Sequence, residues 1–248
     1  NGGSYSFANS GSLAYLERNT VLNYNNGGTL TTSSEPMLYI IDSTANMSGN
    51  DINVLPSGTG IYMTGTSSFN GWNNILLGSG STGIYVDNST AVLNGSKITG
   101  TASGGKGVVA VNSDITNYAD IELSADDSIG IFSRNSSSST KSIVNNGDLN
   151  IRGKRSIAAY LEGTAAQTFK NTGTINVEET SATDKNDSTV GIYATNGAKF
   201  DILNEGTVNV GKASLGIYSL SQSGNVTTTA TSVINVEDKA IGIYKKGG

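Results

Sequence analysis

A tripeptide of the form Gly-Ile-Tyr returns along the chain at a nearly fixed interval, and this recurrence constrains the fold more tightly than any other feature. It stands at Gly60-Ile61-Tyr62, Gly83-Ile84-Tyr85, Gly191-Ile192-Tyr193, Gly216-Ile217-Tyr218 and Gly242-Ile243-Tyr244. Weaker copies occur at Leu38-Tyr39, Gly107-Val108-Val109, Gly130-Ile131-Phe132 and Ala159-Tyr160. The central apolar positions are 38, 61, 84, 108, 131, 159, 192, 217 and 243, spaced by 23, 23, 24, 23, 28, 33, 25 and 26 residues. A 23-residue unit with a few insertions is too short to close a core alone. Its copies must stack and bury one another's inner faces.

A second motif keeps the same rhythm. Ile52-Asn53-Val54, Leu149-Asn150-Ile151, Ile175-Asn176-Val177, Val208-Asn209-Val210 and Ile234-Asn235-Val236 match Ile75-Leu76-Leu77 and Ile121-Glu122-Leu123. Six residues before the first apolar position stands a further large residue: Phe69, Val92, Ile115, Ile143, Phe169 or Ile202. All three segments alternate with period two, as half-buried strands do. Three strands per unit, each parallel to its equivalent in the next, predict an all-β, right-handed, three-sided parallel β-helix of nine to ten coils. Nine coils at ~4.8 Å each make a rod roughly 43 Å long. The six-residue pattern of left-handed β-helices and the glycine-aspartate calcium roll are both absent from the sequence.

Asparagine stands four residues before the third-strand anchor in most units, at Asn26, Asn94, Asn117, Asn145, Asn171 and Asn204. Stacked coil over coil, these amides donate and accept along the rod axis. Gly28, Gly147, Gly173 and Gly206 follow two residues later, where a positive φ is expected. The whole chain, 1–248, reads as one solenoid segment with irregular first coils over 1–30. In that region either one face is missing, or Ser12–Leu16 is a degenerate Gly-Ile-Tyr strand. Insertions near 135–141 and 178–188 lengthen two turns.

Composition narrows the chemistry. The 248 residues contain no cysteine and no histidine, and 15 basic against 20 acidic residues leave a net charge of −5. Disulfides, thiol nucleophiles, imidazole metal ligands and a Ser-His-Asp triad are thereby excluded. The acidic balance argues against nucleic-acid binding. No apolar run approaches the length of a membrane helix, and the first residues lack the features of a signal peptide. The chain reads as a piece of something longer.

Val190-Gly191-Ile192-Tyr193-Ala194-Thr195-Asn196-Gly197, followed by Asn204-Glu205-Gly206-Thr207-Val208-Asn209-Val210, resembles the passenger domains of large autotransporter adhesins, particularly fusobacterial ones. The resemblance extends from about Leu38 to Tyr244. It implies a secreted β-helical stalk, displayed on the outer membrane through a C-terminal translocator barrel that this chain does not contain. It further implies attachment to a host-cell glycan or receptor, or to partner bacteria.

Several residues are candidates for contact with such a partner. With the isoleucines turned inward, Tyr62, Tyr85, Tyr193 and Tyr218 point outward beside an outward glycine, as a ladder interrupted at Val109. Aromatic faces flanked by Asn, Asp and Ser can grip sugar rings; alternatively, the rings stack on one another and cover the backbone. Trp72 aligns with Thr172 in a turn, as an exposed interface anchor or as packing against a neighbouring coil. In the second insertion, Glu178, Glu179, Asp184 and Asp187 form an acidic loop that offers oxygen ligands for Ca²⁺, yet without EF-hand spacing; a solvated loop paired with Arg152, Lys154 and Arg155 is the simpler expectation.

No metal, cofactor or catalytic residue is expected. Asp120 and Asp148, stacked near Glu122, have the form of a glycosidase carboxylate pair. The signature elements of polygalacturonase-like and pectate-lyase-like β-helices are missing, so solvated aspartates are the plain reading. The leading expectation is an adhesin passenger fragment at the bacterial surface. A structural spacer is the alternative, and a polysaccharide-cleaving enzyme the remote one.

Overall fold

The computed structural model describes residues 5–6, 11–32, 34–178 and 187–246. All paired strands among them are parallel, and they form three faces wound around one axis. The first face carries the Gly-Ile-Tyr strands. Its register runs Ala14, Leu38, Ile61, Ile84, Val108, Ile131, Ala159, Ile192, Ile217, Ile243, each paired with the next. The third face pairs Leu30, Ile52, Ile75, Ile98, Ile121, Leu149, Ile175, Val208 and Ile234 in the same way. The chain is therefore a three-sided parallel β-helix, and right-handed winding is the sense that crossovers between parallel strands take.

The first coil is settled by pairing. Ala14–Leu16 aligns with Leu38–Ile40, so this segment is the degenerate Gly-Ile-Tyr strand. Val21–Tyr24 and Gly28–Thr31 supply the other two faces of that coil.

The core is one continuous column of inward residues from Leu16 to Ile217. Strand alternation produces it: in Thr174–Val177 only Ile175 and Val177 are buried, and in Leu215–Ser219 the outward Tyr218 stays half-exposed. The glycine before each inward isoleucine is buried, contrary to the expected outward position. A β-carbon on Gly60 would meet the carbonyl oxygen of Gly83 at 2.5 Å and Val54 Cγ2 at 3.0 Å. The motif needs glycine because this position faces the next coil's backbone and the core.

The second face departs from the expected register in its first half. Phe69 pairs with Ala45 and Leu93, and Leu93 pairs with Asn117. Ile115 instead continues from Ala91, leaving Val92 on the surface. One residue of this slip enters between Asp87 and Ser89, where Asn88 adopts φ 46° and lengthens the corner before the second face; the other comes from the corner after it, since Leu93 stands five residues before Ile98 and Asn117 only four before Ile121. The expected asparagine column therefore begins at Asn117, and Asn26 and Asn94 are exposed outside it.

From Asn117 onward the column is a buried amide ladder. Nδ2 of Asn117, Asn145 and Asn171 donates to Oδ1 of the next asparagine at 2.9, 3.0 and 3.0 Å. The same nitrogens donate to the carbonyls of Ala119, Gly147 and Gly173, and Asn204 donates to that of Gly206. The Ala119 and Gly147 carbonyls are thus satisfied from inside, while those of Gly173 and Gly206 also accept the N–H of Thr207 and Val233. The ladder's first member carries its cost: Asn117 Oδ1 lies above Leu93 without a partner. Among the turn glycines, only Gly28 has the expected positive φ. Gly147, Gly173 and Gly206 are needed for close approach instead, since a β-carbon on Gly206 would stand 2.1 Å from the Gly173 carbonyl oxygen.

Candidate functional surfaces

The tyrosines form the expected outward ladder. Tyr15, Tyr39, Tyr62 and Tyr85 run with centroid spacings of 5.5, 5.7 and 5.8 Å. After Val109 the series resumes as Phe132, Tyr160, Tyr193, Tyr218 and Tyr244, spaced at 5.5, 5.3, 5.5 and 4.8 Å. The Tyr62 and Tyr85 planes are only 8° apart. Where the rings stack, they cover one another's faces and present edges and hydroxyls to the surface; Tyr15–Tyr39, Tyr39–Tyr62 and Tyr193–Tyr218 are tilted. Tyr62, Tyr85, Tyr193 and Tyr218 are all half-buried. Beside the second half of the ladder runs an aliphatic column, Ile129, Ile157, Val190 and Leu215, also half-buried.

Carboxylates tune the ladder. Tyr39 Oη donates to Glu35 Oε2 at 2.6 Å, and this bond to the neutral phenol pushes its pKa up to about 12. Burial, reinforced by Glu162, raises Tyr160 to about 12. Burial and then Asp87 raise Tyr62, whose hydroxyl lies 3.4 Å from Asp87 Oδ2.

Trp72 is a correction. It is 1% exposed and its indole stacks on Phe69 at 4.4 Å with 10° between planes. Its Nε1 donates to the carbonyl of Lys97 at 3.1 Å. The inward column of the second face is small here, Ser67 and Ala91, where later coils place Ile115 and Ile143. A residue aligned with a surface threonine is therefore core, packed against the next coil.

At the acidic loop, Glu179 and Asp184 lie outside the described residues. Glu178 is exposed and pairs with Arg152 at 2.7 Å. Asp187 accepts from Arg155 Nη1 at 2.8 Å, and the same guanidinium grips Asp127 with bonds of 2.7 and 2.9 Å. That grip holds the Asp127 carboxyl below its ordinary pKa and raises that of Arg155. Arg155 thus ties the end of the insertion to the preceding coil. No group of three or more metal-ligating side chains occurs among the described residues.

Asp120 and Asp148 have a backbone role. Asp120 Oδ1 accepts the Asp148 N–H, and Asp148 Oδ1 accepts the Thr174 N–H, each at 2.9 Å. Asp114, Asp126 and Asp201 bond in the same way to the N–H of Ser142, Lys154 and Asn225. The first insertion is similarly organised from within: buried Asn135 donates to the carbonyls of Ser139 and Ala166 and accepts from Ser137.

A second amide ladder, on the outside of the third face, escaped the sequence reading. Asn235 Nδ2 donates to Asn209 Oδ1, Asn209 to Asn176 and Asn176 to Asn150, at 2.7, 2.6 and 2.5 Å. The Asn in the Ile-Asn-Val motif was the available signal, since period-two alternation aims it outward at every coil. Beside this ladder lie two hollows, of about 430 Å³ at Asn209 and Gly211 and about 250 Å³ at Thr99 and Glu122.

Residues 1–201 match the family model described as the BigA third pectate lyase-like domain. No curated protein and no solved structure matches the chain.

Proposed function

We propose that this chain, which belongs to the BigA third pectate lyase-like domain family, is an adhesin-type β-helix domain of a cell-surface protein. BigA is an autotransporter-like adhesin, which supports a passenger role and does not favour the fusobacterial branch. The observation that carries the reading is the unbroken register from Ala14 to Ile243. It makes a stiff rod whose outer side chains stand in straight axial columns. Such a rod can hold a binding surface away from a membrane, and it presents repeated groups to a glycan, a protein receptor or a partner bacterium. Outer-membrane attachment through a separate barrel belongs to the same proposal.

The proposal includes no catalysis. Asp120 and Asp148 are occupied with backbone N–H groups, and a pectate-lyase-like fold does not carry lyase activity with it. A spacer role is favoured by two observations: Trp72 is buried, and several of the outward rings are stacked on one another. Incubating the purified domain with epithelial cells and with bacteria, with and without competing sugars, separates the two. Saturable binding supports the adhesin; no binding to any cell type leaves the spacer.

A further inference from the structure

The two hollows on the third face lie along one line. Their floor is the outward column Thr99, Glu122, Asn150, Asn176, Asn209 and Asn235, joined coil to coil by strand register. Their wall is the corner column that follows each strand, which includes Arg152, Glu178, Gly211 and Glu237. Backbone bonds hold that column in step: Gly211 N–H donates to the Val177 carbonyl at 2.7 Å and Glu237 N–H to the Val210 carbonyl at 3.0 Å. The column Thr99 to Asn235 spans five coil steps, about 24 Å at ~4.8 Å each.

The chemistry of this trough is that of a hydroxyl-rich ligand. Each amide of the outer ladder gives one N–H to its neighbour, and an asparagine has two. A row of donors at the coil repeat therefore remains for a ligand. Carboxylates of Glu122, Glu178 and Glu237 supply acceptors along the same line. Gly211 sets the widest point: it brings no side chain to the wall between Glu178 and Glu237, and the hollow of about 430 Å³ opens there. That volume is in the range of small-ligand sites, roughly 300–1,000 Å³.

Charge selects among hydroxylated ligands. Lys97 pairs with Glu122 at 3.1 Å and Arg152 with Glu178 at 2.7 Å, so the trough's cations are already neutralised. Glu237 adds a carboxylate that accepts the backbone N–H of Lys212, and the chain carries −5 overall. Among the described residues that line this groove, a polyanion such as a polyuronate would meet like charge and no cation outside an ion pair. The mixed donor and acceptor lining suits an uncharged ligand.

We propose that this axial trough is a binding subsite for an extended neutral oligosaccharide, lying parallel to the rod over the outer asparagine ladder, with Gly211 admitting a sugar ring. The inference places a ligand class on the adhesin reading, but its test does not require cells. The intact domain is titrated by calorimetry and by amide chemical shifts with cello-, malto-, laminari- and chito-oligosaccharides of two to six units, and with oligogalacturonate. The expected result is that at least one neutral series binds, tightens with length, and shifts the Asn176, Asn209 and Asn235 side-chain amides. Oligogalacturonate should not bind. Gly211→Arg, which fills the hollow at a position without positive φ, should weaken binding about tenfold or more. Asn209→Ala should weaken it less, with both variants keeping the parent circular dichroism and a cooperative melting transition. Failure of every neutral series, or binding unchanged by both substitutions, overturns the trough while leaving cell adhesion to be judged by the cell assay.

Discussion

Gly95 lies directly against the indole of Trp72: a β-carbon at this glycine would stand 2.0 Å from ring atoms Cδ2 and Cε2. The pair locks the coil containing Phe69 to the one that follows. Gly95→Ala is expected to cost about 1–3 kcal/mol through overpacking, and Trp72→Ala about 3–5 kcal/mol through the cavity it leaves. Chemical denaturation measures both. Because Trp72 is the only tryptophan, its emission should be blue-shifted and resistant to acrylamide. Red-shifted, readily quenched emission would place it on the surface.

That pair also marks where the sequence ceases to be readable. The positions 38 to 243 that the Gly-Ile-Tyr spacing picks out are the residues that pair across the first face. Inward isoleucine and outward tyrosine follow from strand alternation alone. Trp72 and Val92 fall elsewhere because the corner after the second face changes length: Ser67, Ala91 and Ile115 share one register, yet stand eight, seven and six residues before Ile75, Ile98 and Ile121. Third-face anchors 75, 98 and 121 stay 23 residues apart throughout, so a count between them hides the change. The glycines of the tripeptide were misread for a related reason. Their burial depends on the next coil's backbone, which lies a whole repeat away in sequence. The outer asparagine ladder was legible as residues, yet the trough beside it depends on which corner lacks a side chain.

The two amide ladders should differ in what they contribute. Asn145 is fully buried and bonded on both sides, so Asn145→Leu leaves Asn117 Nδ2 and the Gly147 carbonyl short of partners. A loss of roughly 1–3 kcal/mol is expected for each buried group left unpaired. Asn176→Ala, on the half-exposed ladder, should cost about 1 kcal/mol or less because water replaces the lost bonds. Equal losses in urea denaturation would contradict the assignment of inner and outer ladders.

The tyrosine ladder predicts instability in alkali. Tyr39, Tyr62, Tyr160 and Tyr193 resist ionisation in the fold, with Tyr39 and Tyr160 pushed up to about 12, above the unperturbed value of about 10. For a group whose pKa is raised by folding, the unfolded chain loses protons first. Its stabilising contribution is complete below pH ~10 and disappears as pH rises toward 12. Absorbance of tyrosinate should show a late-titrating class. Tyr160→Phe should remove one member of it and reduce the loss of melting temperature over the same interval. A single titration near the unperturbed value would refute the coupled ladder.

Arg155 is expected to act locally. Its bonds to Asp127 and Asp187 are exposed, so global stability should change little when they are lost. Asparagine suits the φ of 56° found there, so Arg155→Asn isolates the ion pairs from backbone strain. Hydrogen exchange should accelerate at residue 155, whose N–H donates to the Asp187 carbonyl, and leave the Val190–Ala194 strand unchanged. Acceleration throughout the strand would give Arg155 a wider structural role.

The tyrosine ladder, both asparagine ladders and the trough all require equivalent residues of successive coils to stand directly above one another. The native chain has no cysteine, so paired cysteines report on this without background. Tyr193 is in register with Tyr218 on the outer side, whereas Ile217 at the neighbouring position points into the core. Aligned parallel strands place their α-carbons about 4.8 Å apart, within the roughly 4.4–6.8 Å that a disulfide spans. Under mild oxidation, the Tyr193→Cys/Tyr218→Cys protein should form an intramolecular disulfide, while Tyr193→Cys/Ile217→Cys should remain reduced. The reverse outcome, or equal reactivity of the two pairs, would contradict the register and with it the straight columns from which the ladder and the trough are built.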